Sequence, residues 1–307
     1  MYMEHFKLNQ LPFSLTPNTH FYCDLPTHQQ ALSGVLLGLQ QRDGLIKIIG
    51  DAGTGKTLLC QLLLNNLDDR FQTVYIPNPD QNGFCFLRSL AYELGLSVEK
   101  DLPQQLLLEQ IAGRLLEIHQ RGKQTVVIVD DSQVLPTECL DAVFRLTNLE
   151  SEERKLMQVV LFGQPKLDDT LSQHGLRQIK QRITHAYCLK PLDKKELDVY
   201  LSHRLVKAGY TYGNIFSMSA KKSLFRASGG LPQLLNVLCH KALLISYGRG
   251  LSRVDAESMR RAIGDIEHVR SIEKQMYSRF SHLVLALSTG LLSFMAWVVY
   301  HAVVIGE

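Results

Sequence analysis

The chain has 307 residues, enough for one large domain or two, and its formal net charge of +3 is too small to indicate nucleic-acid binding by itself. Its six cysteines lie far apart without a CxxC pair, which argues against a disulfide framework or a zinc site and favours reduced thiols in a cytosolic portion. The opening MYMEHFKLNQLPF contains charges and no long apolar run, so no signal peptide is expected.

Hydrophobic periodicity predicts strands that alternate with helices through the first 190 residues. The predicted strands cover residues 45–49, 73–76, 125–129, 157–162 and 185–189. The predicted helices cover residues 27–41, 57–67, 84–95, 103–120 and 137–149. This alternation is typical of a doubly wound α/β fold, in which helices cover both faces of a five-stranded parallel sheet.

After Pro191 the pattern becomes purely helical. Helices are predicted at residues 193–209, 217–228, 232–247 and 255–279. The change of pattern places a domain boundary near Pro191, between an α/β core at 1–190 and an all-helical lid at 191–270.

The last predicted element is an apolar run, Leu283–Ile305, with 23 residues and no Asp, Glu, Lys or Arg. A helix of this length reaches about 34 Å, enough to cross a hydrocarbon core of about 30 Å. Trp297 and Tyr300 stand near its outer end, and a basic juxtamembrane segment at 271–282 precedes it. The pattern predicts a C-terminal transmembrane helix whose basic side faces the cytoplasm, with two residues beyond it; a buried core helix is the alternative.

The strongest motif is GDAGTGKT, which matches G-x-x-x-x-G-K-[ST] between a predicted strand and a predicted helix. Its glycines allow a tight turn whose N–H groups point at phosphate oxygens, and the helix N-terminus adds positive potential. Lys56 is expected to reach the β- and γ-phosphates of ATP, and the Thr57 hydroxyl to bind Mg²⁺. The predicted nucleotide-binding residues are Gly50, Asp51, Ala52, Gly53, Thr54, Gly55, Lys56 and Thr57.

Two adjacent carboxylates, Asp130 and Asp131, end the predicted strand in VVIVDDSQ. Asp130 is expected to hold Mg²⁺, because this hard cation on a triphosphate prefers carboxylate oxygen, often through water. Asp131 then stands where a base orients and deprotonates the attacking water. In P-loop ATPases with an added central strand, the residue directly after the metal-binding Asp is usually Glu. The Asp side chain is one methylene shorter, so its carboxylate lies about 1.5 Å further back for the same backbone. A displacement of about 1 Å can lower the rate of hydrolysis about 10²-fold. The alternative for Asp131 is a cap or turn before the helix at Thr137.

Six segments resemble the AAA+ ATPases of the general secretion pathway protein A (ExeA/GspA) family, and within it those of mannose-sensitive haemagglutinin (MSHA) type IV pilus biogenesis. They are MEHFKLNQLPFSLTPNTHFY, GDAGTGKT, VVIVDDSQVLP, LTNLESEERKLMQVVLFGQPKL, LRQIKQRITHAYCLKPL and SGGLPQLLNVLC, spread over residues 1–270. The resemblance implies a P-loop AAA+ core, a helical lid and a homo-oligomer that hydrolyses ATP. It also implies an inner-membrane location in a bacterium, with the ATPase domain in the cytoplasm and pilus or secretion assembly proteins as partners.

The resemblance assigns roles that the motifs leave open. Gln164 in LFGQP falls at the sensor-1 position, which contacts the γ-phosphate or the water; an ordinary turn glutamine is the alternative. Arg182 is the candidate arginine finger for a neighbouring subunit, with Arg177 in reserve, and either is otherwise a solvated helix residue. Gln233 stands where the family has its sensor-2 arginine. The N-terminal residues 11–16 are expected to pack near the adenine of ATP.

These observations leave three functions open. The first is a membrane-anchored Mg²⁺-dependent ATPase. The second is a nucleotide-dependent scaffold that hydrolyses slowly, which Asp131 and Gln233 favour; Arg226, a turn earlier, is the candidate to compensate for the missing sensor-2 arginine. The third is a DNA-handling ATPase of the transposition type, favoured by basic residues in the lid. The small net charge and the apolar run at 283–305 argue against nucleic acid.

Overall fold

The computed structural model describes residues 2–79, 82–99, 102–151, 154–173 and 176–266. The central sheet contains β1 (Leu45–Gly50), β2 (Phe71–Ile76), β3 (Gln124–Val129), β4 (Met157–Gly163) and β5 (Ile183–Leu189). Neighbouring strands are parallel, in the spatial order β2-β3-β4-β1-β5. The predicted five-stranded parallel sheet is therefore confirmed. Strands β3, β4 and β1 are neighbours and run parallel, so their carboxyl ends lie together at one edge of the sheet.

Helices cover both faces of this sheet. In chain order they are α1 (Tyr2–His5), α2 (Pro26–Gln40), α3 (Lys56–Asn66), α4 (Gly83–Glu93), α5 (Gln104–Gln120), α6 (Thr137–Thr147), α7 (Lys166–Leu171) and α8 (Arg177–Gln181). The helices from α4 through α8 share one apolar cluster with one face of the sheet. Helices α2 and α3 share a second apolar cluster with the other face. A short antiparallel pair, Glu150–Ser151 with Arg154–Lys155, precedes β4.

The chain after β5 is helical, as predicted: α9 (Lys194–Lys207), α10 (Met218–Ser228) and α11 (Pro232–Gly248) are followed by helix at 256–266. A capping box starts α9, because the Asp193 side chain accepts from the Glu196 N–H and the Glu196 carboxylate accepts from the Asp193 N–H. We refer to α9, α10, α11 and the 256–266 helix as the lid.

The residues before α2, which we call the lead, pack with the lid in one apolar cluster. Buried rings at Tyr2, Phe6 and Phe13 share this cluster with side chains of α9 and α11. The Asn9 N–H donates to the Ala208 carbonyl at 2.8 Å, so the backbone of the lead is also attached to the end of α9. The boundaries at 190 and 270 remain predictions, and the lead contributes to the same core as the lid.

The predicted transmembrane helix at 283–305 and the juxtamembrane segment at 271–282 lie outside the described residues. In the part of the chain that is described, no helix combines the length and the hydrophobicity of a membrane span. The membrane anchor therefore stays a prediction from the sequence.

Candidate nucleotide-binding site

The glycine-rich loop connects the end of β1 to the start of α3, the setting predicted for it. Gly53 and Gly55 have φ angles of +83° and +98°, in the left-handed region that favours glycine. Gly50 lacks space for a side chain, because a Cβ there would lie 2.6 Å from Thr54 Oγ1. The three glycines are thus required by backbone conformation and close packing.

Lys56 begins α3 and is only 6% exposed. Its Nζ donates hydrogen bonds to the Gly50 carbonyl at 2.8 Å and the Asp51 carbonyl at 2.9 Å. Burial lowers the pKa of Lys56, and the nearby carboxylates of Asp131 and Asp130 oppose this change. A bound phosphate gives this ammonium a stronger partner than two neutral carbonyls do.

Asp130 follows β3 and is 2% exposed. Its carboxylate accepts hydrogen bonds from the Thr57 hydroxyl and, at 2.9 Å, from the Asp131 N–H. Burial raises the pKa of Asp130, and the two hydrogen bonds work against that increase. A buried carboxylate beside a hydroxyl, next to a phosphate-binding lysine, is an oxygen donor set suited to Mg²⁺ on a triphosphate. The residues present therefore fit the predicted cofactor.

Asp131 adopts a left-handed backbone conformation, with φ +50° and ψ +35°. Among the described residues, its Oδ1 accepts a hydrogen bond from Gln133 Nε2 at 3.0 Å and does not cap the following turn at Ser132–Val134. Helix α6 starts after Pro136, so Asp131 does not cap that helix either. The carboxylate is close enough to Lys56 to be the largest charge acting on its pKa.

Two side chains connect the end of β3 to the end of β4. The Gln133 Oε1 accepts the Gln164 N–H at 3.0 Å, and the Ser132 hydroxyl donates to the Phe162 carbonyl at 2.7 Å. Gln164 therefore lies beside the Asp131 turn, and its contact with the γ-phosphate or the water stays a prediction. Sequence reasoning assigned no role to Gln133, although its position two residues after Asp131 was visible in the motif.

A cavity of about 260 Å³ lies beside the glycine-rich loop, between the lead and the lid. Its walls include residues 14–18 of the lead, residues 53–58 of the loop and His28 of α2. Residues 14–16 of the lead belong to this wall, and the packing of residues 11–16 near adenine stays a prediction. The His28 Nε2 lies 2.9 Å from the Thr54 carbonyl, and burial lowers the pKa of His28. A neutral imidazole thus supports the loop from the α2 side.

The lid contacts the loop through the first turn of α11. The Gln233 N–H donates to the Gly53 carbonyl at 3.2 Å, and a Cβ at Gly53 would lie 2.8 Å from Gln233 Oε1. The residue at the sensor-2 position therefore touches the loop without a charge. Arg226 is exposed on α10 and lies outside the cavity walls as far as they are described, whereas the buried Arg204 of α9 lines them.

Arg204 joins the lead to the lid. Its guanidinium donates to the Pro12 carbonyl at 2.6 Å and to the Tyr200 hydroxyl at 2.8 Å. The Tyr200 hydroxyl donates in turn to Asn236 Oδ1, and the Asn236 amide donates to the Ser14 carbonyl. This network fixes the lead residues that begin the cavity wall.

The structure does not bring Arg182 to the other site residues. It ends α8 immediately before β5, and the parallel register pairs Ile183 with Leu45 at the start of β1. Arg182 thus lies at the opposite edge of the sheet, about 17 Å along the strand from the loop. Its guanidinium contacts Asn148 Oδ1 and lies 5.2 Å from the Phe144 ring centre. The side chain of the reserve candidate, Arg177, is not described.

Comparisons with known proteins agree with this architecture. The AAA domain family matches residues 39–171. General secretion pathway protein A of Aeromonas hydrophila is 36% identical over 297 residues, which is 97% of this chain and 53% of that protein. The chain therefore spans about half the length of this relative.

Solved structures of low sequence identity share the fold. The ORC1 protein of Aeropyrum pernix in complex with DNA is 18% identical, with a TM-score of 0.62 over 85% of this chain and 70% of that one. The ORC2 protein of the same organism in ADPNP–ADP complexes is 14% identical, with a TM-score of 0.60; the match covers 81% of this chain and 72% of that one. A Walker-type ATPase of Pyrococcus abyssi is 15% identical, with a TM-score of 0.57; the match covers 87% of this chain and 79% of that one. At these identities the likeness concerns the fold alone.

Proposed function

Because this chain belongs to the AAA+ ATPases of the general secretion pathway protein A family, we propose that it binds ATP with Mg²⁺ and hydrolyses it. The observation that carries the proposal is the hydrogen bond between the Thr57 hydroxyl and the buried Asp130 carboxylate, next to Lys56. A carboxylate buried to this degree needs a positive partner, and the proposed Mg²⁺ would supply it.

In the proposed reaction each side chain has a separate task. The loop amides and Lys56 hold the phosphates, while Thr57 and Asp130 hold Mg²⁺, which neutralises charge on the β- and γ-phosphates when bound. Asp131 orients a water and accepts its proton as the water oxygen bonds to the γ-phosphorus. The bond from that phosphorus to the β–γ bridging oxygen breaks, and ADP and phosphate leave. Gln164 contacts the γ-phosphate or the water.

The position of Arg182 at the far edge of the sheet supports a homo-oligomer. A cation about 17 Å from its own loop cannot stabilise charge there, but it can face the loop of a neighbouring subunit. We propose that Arg182 acts as the arginine finger across such an interface. An arginine finger of this kind raises kcat for hydrolysis about 10³–10⁵-fold.

We further propose that residues 283–305 anchor the protein in the bacterial inner membrane, with the ATPase domain in the cytoplasm. The absence of charged residues from this run supports the anchor, and the name of the Aeromonas relative supports a role in secretion. At the membrane it would assist assembly of a type IV pilus of the MSHA type or of an envelope machine related to type II secretion. Carbonate extraction tests the anchor: the full chain should stay with membranes and a chain truncated after residue 282 should not. Equal extraction of both would refute it.

A second candidate function is a nucleotide-dependent scaffold that hydrolyses slowly. The uncharged Gln233 contact with Gly53 favours it, because the lid then has no charge at this position to respond to a γ-phosphate. Tight ATP binding with turnover at background would support this function over hydrolysis.

The hydrolysis proposal is tested with Asp130→Asn. This variant keeps the size of the side chain and removes the charge for Mg²⁺. We expect ATP binding in EDTA to stay within about threefold of the parent, while Mg²⁺-dependent phosphate release falls at least 10²-fold, the size of effect seen when a site group is lost. The exposed Asp69→Asn serves as the matched control. Unchanged phosphate release in Asp130→Asn would refute the assignment.

A further inference from the structure

The turn after β3 holds its catalytic candidate in a conformation that few side chains adopt. Asp131 has φ +50° and ψ +35°, in the left-handed region where Asp and Asn are enriched and longer side chains are disfavoured. A glutamate, the usual residue at this position, fits this backbone less well. The shorter Asp131 side chain is therefore matched to the local backbone, and its carboxylate needs another means of orientation.

Gln133 supplies that orientation with both ends of its amide. Its Nε2 donates to Asp131 Oδ1 at 3.0 Å, and its Oε1 accepts the Gln164 N–H at 3.0 Å. One side chain thus connects the carboxylate to the backbone of the loop that carries Gln164. Gln133 is a half-buried residue.

The attachment of β3 to β4 does not depend on this amide. The fully buried Ser132 donates to the Phe162 carbonyl at 2.7 Å, and Gly163 leaves space for it, since a Cβ there would lie 2.8 Å from Ser132 Oγ. This contact holds the two strand ends together. Gln133 can therefore be changed while the strand ends stay joined, which separates its effect on Asp131 from a general effect on the fold.

We propose that Gln133 is a positioning residue that sets the Asp131 carboxylate and the Gln164 loop in one fixed arrangement for hydrolysis. The inference rests on the proposed ATPase function. Donation from Gln133 leaves the second oxygen of Asp131, Oδ2, available to the water, and the bond to Gln164 N–H prevents the loop from moving away. Gln133 touches neither the nucleotide nor the water in this arrangement.

Two substitutions separate the two hydrogen bonds. Gln133→Glu keeps an acceptor for the Gln164 N–H but places a second carboxylate against Asp131, whereas Gln133→Met removes both bonds at similar length. We expect both variants to lower kcat about 10²-fold near pH 8, as a displacement of about 1 Å does, with KM within about threefold. The exposed Gln120→Glu is the matched control and should keep parental kinetics.

The split between kcat and KM distinguishes positioning from a structural role. A disrupted site would weaken nucleotide binding together with turnover, whereas a misplaced carboxylate lowers kcat and leaves KM nearly unchanged. Parental kcat in either variant at pH 8, or a rise in KM as large as the fall in kcat, would overturn the proposal.

Amide hydrogen exchange provides a measurement that does not depend on hydrolysis. The Gln164 N–H should exchange slowly in the parent and in Gln133→Glu, and at least tenfold faster in Gln133→Met, while the Val160 N–H in β4 reports intact folding. Slow exchange at Gln164 in Gln133→Met would overturn the proposed contact. If the parent itself releases no phosphate, the ATPase proposal fails and the exchange rates still decide whether Gln133 holds this loop.

Discussion

Replacing Arg204 by Met should loosen the lead from the lid. Arg204 is 5% exposed, and its guanidinium donates at 2.6 Å to the buried Pro12 carbonyl and at 2.8 Å to the Tyr200 hydroxyl. Met has a similar length and restores apolar packing, so the main loss is the charged hydrogen bond to Pro12. Such a bond contributes about 1.5–3 kcal/mol, and Tyr200 keeps its bond to Asn236. We therefore expect the free energy of unfolding to fall by about 1.5–3 kcal/mol.

Urea denaturation followed by circular dichroism measures this change, with Arg226→Met as the matched control. Arg226 is exposed on α10, where a surface substitution should alter stability by no more than about 0.5 kcal/mol. Nucleotide affinity should fall in Arg204→Met as well, because the lead residues 14–18 form a wall of the cavity. Equal stability and equal nucleotide affinity in the two variants would refute the role assigned to the Arg204 network.

Two further predictions concern the site. Asp131→Glu should lower turnover, because the left-handed backbone disfavours Glu by roughly 1 kcal/mol and the longer side chain loses the Gln133 bond; a large gain in phosphate release would instead favour the slow scaffold. Burial lowers the pKa of His28 from 6.5, so below about pH 6.5 the unfolded chain binds a proton that the folded chain does not. Stability should therefore fall from pH 6.5 toward the lowered folded pKa, and less steeply in His28→Gln; parallel stability curves in urea would contradict this.

Sequence periodicity predicted the buried strands well and the two edge strands of the sheet, β2 and β5, less well. The central strand β4 is buried throughout, and its predicted range of 157–162 nearly matches Met157–Gly163. The edge strand β2 begins at Phe71, two residues before the predicted start at Thr73, because its first residues are only half-buried and give a weak apolar pattern. Helices α7 and α8, with six and five residues, are too short to show a helical period.

The parts of the site that the sequence predicts are those formed by residues close together in the chain, whereas contacts between distant residues are not predictable from it. The glycine-rich loop and Asp130 follow from contiguous motifs that require a strand, a turn and a helix in sequence. The Arg204 contact with Pro12 joins residues 192 positions apart, and nothing in the sequence of α9 distinguishes this arginine from a solvated one. Gln133 lies inside a recognised motif, yet its two contacts depend on the left-handed turn at Asp131, which the residue types alone do not determine.

The central claim is that the loop and the two carboxylates form a working ATPase site. Steady-state phosphate release by the full chain with excess Mg²⁺ and ATP, measured against protein concentration, tests it most directly. We expect clear turnover that rises per subunit as the protein assembles, and its loss in Lys56→Ala but not in the exposed Lys207→Ala. Release at background in the parent at every concentration, equal to that of Lys56→Ala, would contradict the account.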